Sequence, residues 1–377
     1  MDLDSRTSEK RSGVFIMDDF FQDKRVLVTG ACGTVGRELV CQLLDGTDLS
    51  ELIGIDNNES ELFFLEQRFQ QKAHARFFLA DVRDGDKMHR LIRNVDILFH
   101  TAAFKHVVLC ERSPFEAVQT NILGIQNIVN AALENDVGTV IFTSSDKAVN
   151  PTNVMGTSKL MGERLMTAAN SKLRERGPVF ASTRFGNVLG SRGSVIPVFH
   201  EQIKAGGPVT VTDEEMTRFI MSIQAAVRLV IDSAKLAKGG EVFVTKMPVI
   251  RIMDLASVMI QALAPSYGHR PEDIDIVKIG AKPGEKMYEE LMNHEEVRRS
   301  LELERYFVVK PAFASSYRDI QYAYPGLVSA HTTNPYNSAN ETPMMTAELS
   351  TFLRENRLLV EPEDEPWRPS EHFWPSA

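Results

Sequence analysis

The sequence predicts an α/β protein, a Rossmann-type doubly wound parallel sheet with a smaller C-terminal substrate-binding lobe, on three observations. From residue 24 onward, short β-branched runs alternate with longer helical segments, the pattern of βαβ units around a parallel sheet. The stretch TGACGTVG, Thr29 to Gly36, lies between the apolar run Val26-Leu27-Val28 and an amphipathic segment over 35–44, so its glycines fall where a buried strand turns into a helix. Asp56 closes a second apolar run, Leu52 to Ile55, at the distance where an acid suits a ribose 2′-hydroxyl. In such a turn one glycine permits the bend, one lets backbone approach a pyrophosphate, and one lets helix and strand pack closely, with the helix N-terminus facing the anion. Gly30, Gly33, Thr34, Val35 and Gly36 are therefore expected at a dinucleotide pyrophosphate, and Asp56 and Asn57 at its ribose. An acid there repels a 2′-phosphate and no arginine follows it closely, which favours NAD over NADP.

At 377 residues with 43% apolar content, the chain suits a nucleotide domain with a second lobe. Residues 18–187, with a return segment at 222–248, are expected to form the nucleotide domain, and 188–221 with 249–357 the substrate lobe. Residues 1–17 form an extension and 358–377 a tail. A net charge of −9 without a Lys/Arg run argues against a nucleic-acid partner, while single arginines can still hold small anions. Cys32, Cys41 and Cys110 are unevenly spaced and fit reduced thiols in a cytoplasm, and no His/Cys cluster suggests a metal. The first 17 residues lack the apolar core of a signal peptide, and no stretch reaches the length of a membrane span, so a soluble protein with no membrane partner is expected. Asn340-Glu341-Thr342 reads as a chance glycosylation match.

The expected strands are 25–29, 51–55, 76–80, 96–100 and 138–143. Between them, Leu62, Phe64, Leu65 and Phe69 recur at helical spacing and read as core. Asp81 and Val82 follow the third strand, either as an adenine contact or as a strand-end Asx turn. Ala102 and Ala103 end the fourth strand and leave room for a flat ligand at the carboxyl edge, where open α/β sheets bind. Lys105 and His106 come next and are candidates for sugar-nucleotide contacts. Residues 113–135 begin with Ser113-Pro114 and run as an amphipathic helix that can serve the core or an interface.

The fifth strand ends in Thr143-Ser144-Ser145, followed by Asp146-Lys147 and, after a Pro-containing loop, by Met155-Gly156-Thr157-Ser158-Lys159. Taken in order, TGACGTVG, HTAAFKHV, SSDKAVNPTNVMGTSK, RFGNVLGSRGSVIP and KPGEKMYEEL resemble the extended short-chain dehydrogenase/reductases. More narrowly they resemble the nucleotide-linked N-acetylglucosamine 4,6-dehydratases of bacterial amino-sugar and nonulosonic acid pathways. The resemblance covers roughly residues 22 to 355. The chain departs from the wider pattern at one place: the tyrosine of YxxxK is Met155, while Lys159 remains. A thioether cannot accept a proton at neutral pH, so another group must serve the C4 hydroxyl or the site is inactive. The retaining subclass of these dehydratases is similar in having Met here with an Asp-Lys pair upstream, and Ser145-Asp146-Lys147 matches the Thr-Asp-Glu triplet of related dTDP-glucose dehydratases.

The resemblance implies NAD-dependent removal of water from a nucleotide-diphospho-N-acetylglucosamine, UDP-linked or GDP-linked, with C5 configuration retained. Lys147, its pKa lowered by burial or neighbours, is the leading C5 base and Asp146 the C6 proton donor, although the two roles are exchangeable. Ser145 is expected at the C4 oxygen and Lys159 at the nicotinamide ribose. In the second lobe Asn187 and Arg192 look like the family's substrate contacts, and Arg218 is a second phosphate or base contact. Glu285, in the turn KPGEK, is a candidate for a nucleotide ribose. Residues 222–238 read as a helix, 241–245 as a strand, 311–345 as an irregular loop or arm, and 346–357 as a helix. Helices 113–135 and 156–175 suit the family's paired-helix dimer, so a homo-oligomer is expected. A C4 or C5 epimerase, and a non-catalytic NAD and sugar-nucleotide sensor, stay open as alternatives.

Overall fold

The computed structural model describes residues 19–171, 177–190, 195–280, 286–313 and 319–359. Strand β1 (Arg25–Thr29) leads into helix α1 (Thr34–Gly46), β2 (Glu51–Asp56) into α2 (Glu59–Phe69), and β3 (Ala75–Leu79) into α3 (Gly85–Leu91). Strand β4 (Ile97–His100) is followed by α4 (Val107–Arg112), α5 (Pro114–Val118) and α6 (Gly124–Glu134), and β5 (Thr139–Ser145) by α7 (Val154–Ser171) and β6 (Val179–Phe185). The five strands expected from the sequence fall within two residues of these bounds. The single helix expected over 113–135 is interrupted by a π-helical turn, Gln119–Leu123, which brings the polar Asn121 inward.

The chain continues through β7 (Asn187–Val188), α8 (Val195–Lys204), β8 (Val209–Val211), β9 (Thr217–Met221), α9 (Ile223–Leu236) and β10 (Val242–Thr245). Then come β11 (Val249–Arg251), α10 (Ile252–Leu263), β12 (Ile276–Lys278), β13 (Glu290–Met292) and α11 (His294–Val297). The last elements are β14 (Ser300–Leu303), β15 (Tyr306–Val309), β16 (Leu327–Ser329), β17 (Tyr336–Asn337) and α12 (Thr346–Glu355).

The main sheet has the order β16-β14-β15-β10-β6-β5-β4-β1-β2-β3. From β3 to β10 every neighbour is parallel, with Val26 beside both Leu52 and Ile97 in register. This is the predicted Rossmann arrangement. Strands β15, β14 and β16 then extend the sheet antiparallel. The sequence reading placed these residues in the second lobe or an irregular arm. The aromatic and β-branched run Tyr306-Phe307-Val308-Val309 instead finds its partner in β10.

One face of the sheet is covered by α1 and α9. Helix α9 buries Ala226, Val227, Val230, Ile231 and Ala234 along one stripe, and the Ser222 hydroxyl caps it by accepting from the Ala225 amide. The other face packs Met88, Ile125, Ile128 and Met166 from α3, α6 and α7. Each such side chain removed from water stabilises the fold by about 1.5–3 kcal/mol. In α2, Leu62, Leu65 and Phe69 are buried as expected, but Phe64 lies at the surface. A third core joins α8, α10 and α12 through Phe199, Leu255, Met259 and Leu349.

Arg184, fully buried on β6, ties the parts together. Its guanidinium donates to both oxygens of Glu163 on α7 (2.9 and 2.6 Å), to both oxygens of Glu296 on α11 (3.0 Å each), and to the Leu291 carbonyl. A charge group this deep is tolerable only because its donors are satisfied. Among the described residues no helix is long and apolar enough to cross a membrane.

Candidate active site

The carboxyl ends of β1, β2 and β4 converge on the glycine turn. Gly30 adopts φ +67°, and a Cβ there would lie 2.7 Å from the Ala102 nitrogen; a Cβ on Gly36 would lie 2.0 Å from the Gly30 carbonyl oxygen. Only glycines let β1, α1 and the loop after β4 approach so closely. Gly33 is the N-cap of α1 and brings no side chain to it, so the amides of Thr34 and Val35 face the turn as an anion seat would require. The residues present therefore fit a dinucleotide pyrophosphate.

Asp56 accepts from the Cys32 amide through Oδ2 and from the Asn58 amide through Oδ1, both at 2.9 Å, which fixes its carboxylate beside the turn. Asp81 accepts from the Arg83 amide at 2.9 Å and pairs with the Arg83 guanidinium, which holds its carboxyl below the usual range. The Asx-turn alternative for Asp81 is thus realised. Asn127 donates to the carbonyls of buried Val82 and Arg83. Ala102 lies half-buried with its amide on the Thr29 hydroxyl, and Ala103 is half-buried beside it; Lys105 and His106 are exposed on the same loop.

At the end of β5 the Ser145 hydroxyl donates to Asp146 Oδ1 at 3.1 Å and accepts from the Lys147 amide at 3.0 Å. The Lys147 ammonium pairs with both Asp146 oxygens at 2.9 and 3.1 Å; Asp146 is buried, and the Lys147 side chain is 34% exposed. Here the structure corrects the sequence reading. Burial alone would lower the Lys147 pKa, but the carboxylates of Asp146 and Glu289 outweigh it and raise the value above that of a free lysine. Lys159 is the lysine whose pKa falls. Burial brings it to about 8, with its ammonium over the Phe142 ring at 4.7 Å and donating to the Thr143 carbonyl at 3.0 Å. Met155 is buried with Cys110 and Ala117 in a small apolar cluster.

Asn187 reaches the same region from β7. Its amide donates to Glu289 Oε1 at 2.7 Å and to the Phe219 carbonyl at 3.3 Å. Arg218 donates to the carbonyls of Thr217, Lys286 and Met287, and its Nε lies 3.4 Å from Glu289 Oε1. As placed, Arg218 organises the segment after 285 and its guanidinium is engaged by protein. Arg192 and Glu285 lie outside the described residues.

The polysaccharide biosynthesis protein family matches residues 26–311. The chain belongs to that family. An uncharacterized membrane protein of Methanocaldococcus jannaschii is 52% identical to it over 78% of this chain and 88% of that one. The UDP-N-acetylglucosamine 4,6-dehydratase (inverting) of Campylobacter jejuni and the UDP-glucose 4-epimerase of Rickettsia canadensis are 35% and 36% identical, over 81% and 88% of this chain and 89% and 96% of theirs. The X-ray structure of Pen from Bacillus thuringiensis is 40% identical, with a TM-score of 0.82 over 90% of this chain and 99% of that one. The chain spans about half the length of relatives from Bacillus subtilis and Staphylococcus aureus (46% of each). These findings agree with the resemblance to extended short-chain dehydrogenase/reductases.

Within this polysaccharide biosynthesis chain two polar residues at the site escaped the sequence reading. Glu289 is buried immediately before β13; its Oε2 accepts from the Phe219 amide at 3.1 Å. Asn121 accepts from the Phe104 amide at 2.8 Å and donates to the Phe104 carbonyl and the Ser158 hydroxyl, which fastens the 101–106 loop to α7. A polar residue within an otherwise apolar helix stripe was the available signal for Asn121; nothing distinguished Glu289 from the glutamates around it.

Proposed function

We propose that the chain catalyses the NAD-dependent 4,6-dehydration of UDP-N-acetylglucosamine, giving a 4-keto-6-deoxy sugar with C5 configuration retained. The observation that carries this reading is the Ser145-Asp146-Lys147 group at the carboxyl end of β5, joined by buried Glu289, with apolar Met155 in the usual place of the tyrosine. Gly30, Gly33, Gly36, Asp56 and Lys159 would hold NAD, which would supply the hydride acceptor and donor that oxidation at C4 and reduction at C6 require. The chain's own residues must take two protons off the sugar, from the C4 hydroxyl and C5, and return two, to the departing C6 oxygen and to C5. Ser145 links the C4 oxygen to Asp146, along the 3.1 Å bond it already makes. Lys147 rests as an ammonium and is the donor to the C6 oxygen. Glu289, with its carboxyl at about 7, is the second acceptor. Lys147 thus takes the C6 donor role first expected of Asp146, Asp146 serves the C4 oxygen through Ser145, and Glu289 takes the C5 proton first assigned to Lys147.

Asn187 and Arg192 are proposed at the sugar or its diphosphate, Lys105 and His106 as contacts to the sugar nucleotide, and Glu285 as an acceptor from a nucleotide ribose hydroxyl. The exposed apolar side chains of Val108, Leu109, Phe115 and Met161 support a homo-oligomer through α4, α5 and α7. The buried free thiols of Cys32, Cys41 and Cys110 suit a cytoplasmic setting.

An epimerase is the second reading, favoured by the relatives of that name. It calls for reversible chemistry at C4 alone and gives no use to a C6 proton donor. Incubation with UDP- and GDP-N-acetylglucosamine, followed by mass measurement and NMR of the product, separates the readings. Loss of one water with unchanged C5 configuration is expected for the UDP sugar. An isomer of unchanged mass identifies an epimerase, and an inverted C5 overturns the retaining assignment.

A further inference from the structure

Three charged side chains meet at the ribose edge of the glycine turn. The Arg37 guanidinium donates to the Cys32 carbonyl at 3.4 Å and pairs with the Glu61 carboxylate; the two side chains are only 16% and 24% exposed. The Cys32 amide donates in turn to Asp56 Oδ2 at 2.9 Å. One residue of backbone therefore separates the arginine from the acid that marks the ribose 2′-hydroxyl. Glu61 is set in place by the start of α2, where the Asn58 side chain accepts from the Glu61 amide at 3.2 Å.

The chemistry of this triad is directional. A guanidinium at the edge of a nucleotide ribose is the group that would grip a 2′-phosphate, because its fork matches phosphate oxygens. Here that fork faces a carboxylate supplied by the chain, and the three side chains sum to one negative charge. Asp56, with no arginine close after it, favours NAD; Arg37 precedes Asp56, yet the βαβ fold brings it to the same edge. We infer that Glu61 is a specificity-determining residue: by engaging Arg37 it withholds the counter-charge a 2′-phosphate needs, so the turn selects the unphosphorylated dinucleotide. This rests on the dinucleotide reading of the turn.

Calorimetric titration of the full chain with NAD and with NADP tests it directly, using wild type, Glu61→Gln and the double variant Glu61→Gln/Arg37→Gln. Wild type should bind NAD more tightly than NADP. Glu61→Gln should tighten NADP by about tenfold, the scale of one charge-assisted contact, while NAD affinity stays within about threefold. The double variant should lose the gain, which places the effect on Arg37. A Glu61→Gln protein that binds NAD and keeps the wild-type NADP-to-NAD ratio overturns the inference, as does a wild type that prefers NADP. A wild type that takes up neither dinucleotide overturns the dinucleotide reading itself, and this inference with it.

Discussion

At Glu289, burial and the nearby Asp146 charge lift the carboxyl to about 7, against the opposing pull of Lys147, Arg218 and the Asn187 amide. Its folded pKa lies above the ordinary 4.5, so the folded state holds this proton over a range where the unfolded chain releases it. The linked stability is fully present below about 4.5 and is lost as pH rises through about 7. Glu289→Gln should flatten that part of the stability profile. It should also remove a limb near pH 7 from kcat/KM and lower kcat by about a hundredfold, the usual scale of a proton-transfer group. A pH profile unchanged by the substitution would take Glu289 out of the chemistry. His100 shows the opposite effect: burial, then the Lys159 charge, lowers its pKa to about 3, so it stays neutral beneath the site. Residue types were legible in the sequence where chemistry restricts the choice, as at Gly30, Asp56 and Lys159. Protonation states were not, because the Lys147 pKa depends on two carboxylates, one of them 142 positions away in sequence.

The parallel strands other than the edge strand β3 were readable because each is a short apolar run with both faces buried, and the amphipathic helices because their stripes repeat every three to four residues. The π-helical turn at Gln119–Leu123 was not, since its neighbours have ordinary helical composition and the turn is set by the contacts of Asn121 with Phe104 and Ser158. Just before it, α4 and α5 turn Val108, Leu109 and Phe115 outward, and Phe115 is 80% exposed. These exposed apolar side chains are the surface that the proposed homo-oligomer would bury. Phe115→Asp should therefore shift the mass measured by light scattering from oligomer to monomer while leaving the circular dichroism unchanged, since the residue contributes nothing to the core. A wild type that is already monomeric would refute the oligomer proposal.

Across the whole molecule, the topology gathers side chains that lie far apart in the sequence. The end of β5, the start of β7 and the residue before β13 supply Ser145, Asn187 and Glu289, the last two joined by a hydrogen bond, and Arg184 ties β6 to α7 and α11 through Glu163 and Glu296. Motif order made the nucleotide half legible; the antiparallel strands β14 to β16 were missed because runs of three or four residues are too short to carry a periodic signal. On the proposed function, the hydride removed from C4 would be stored on the dinucleotide and delivered to C6 of the same sugar within one turnover. UDP-N-acetylglucosamine carrying deuterium at C4, incubated with the enzyme and followed by NMR, tests it most directly. The deuterium should appear at C6 of a 4-keto-6-deoxy product; deuterium still at C4, or a 4-keto product with none at C6, would contradict the account.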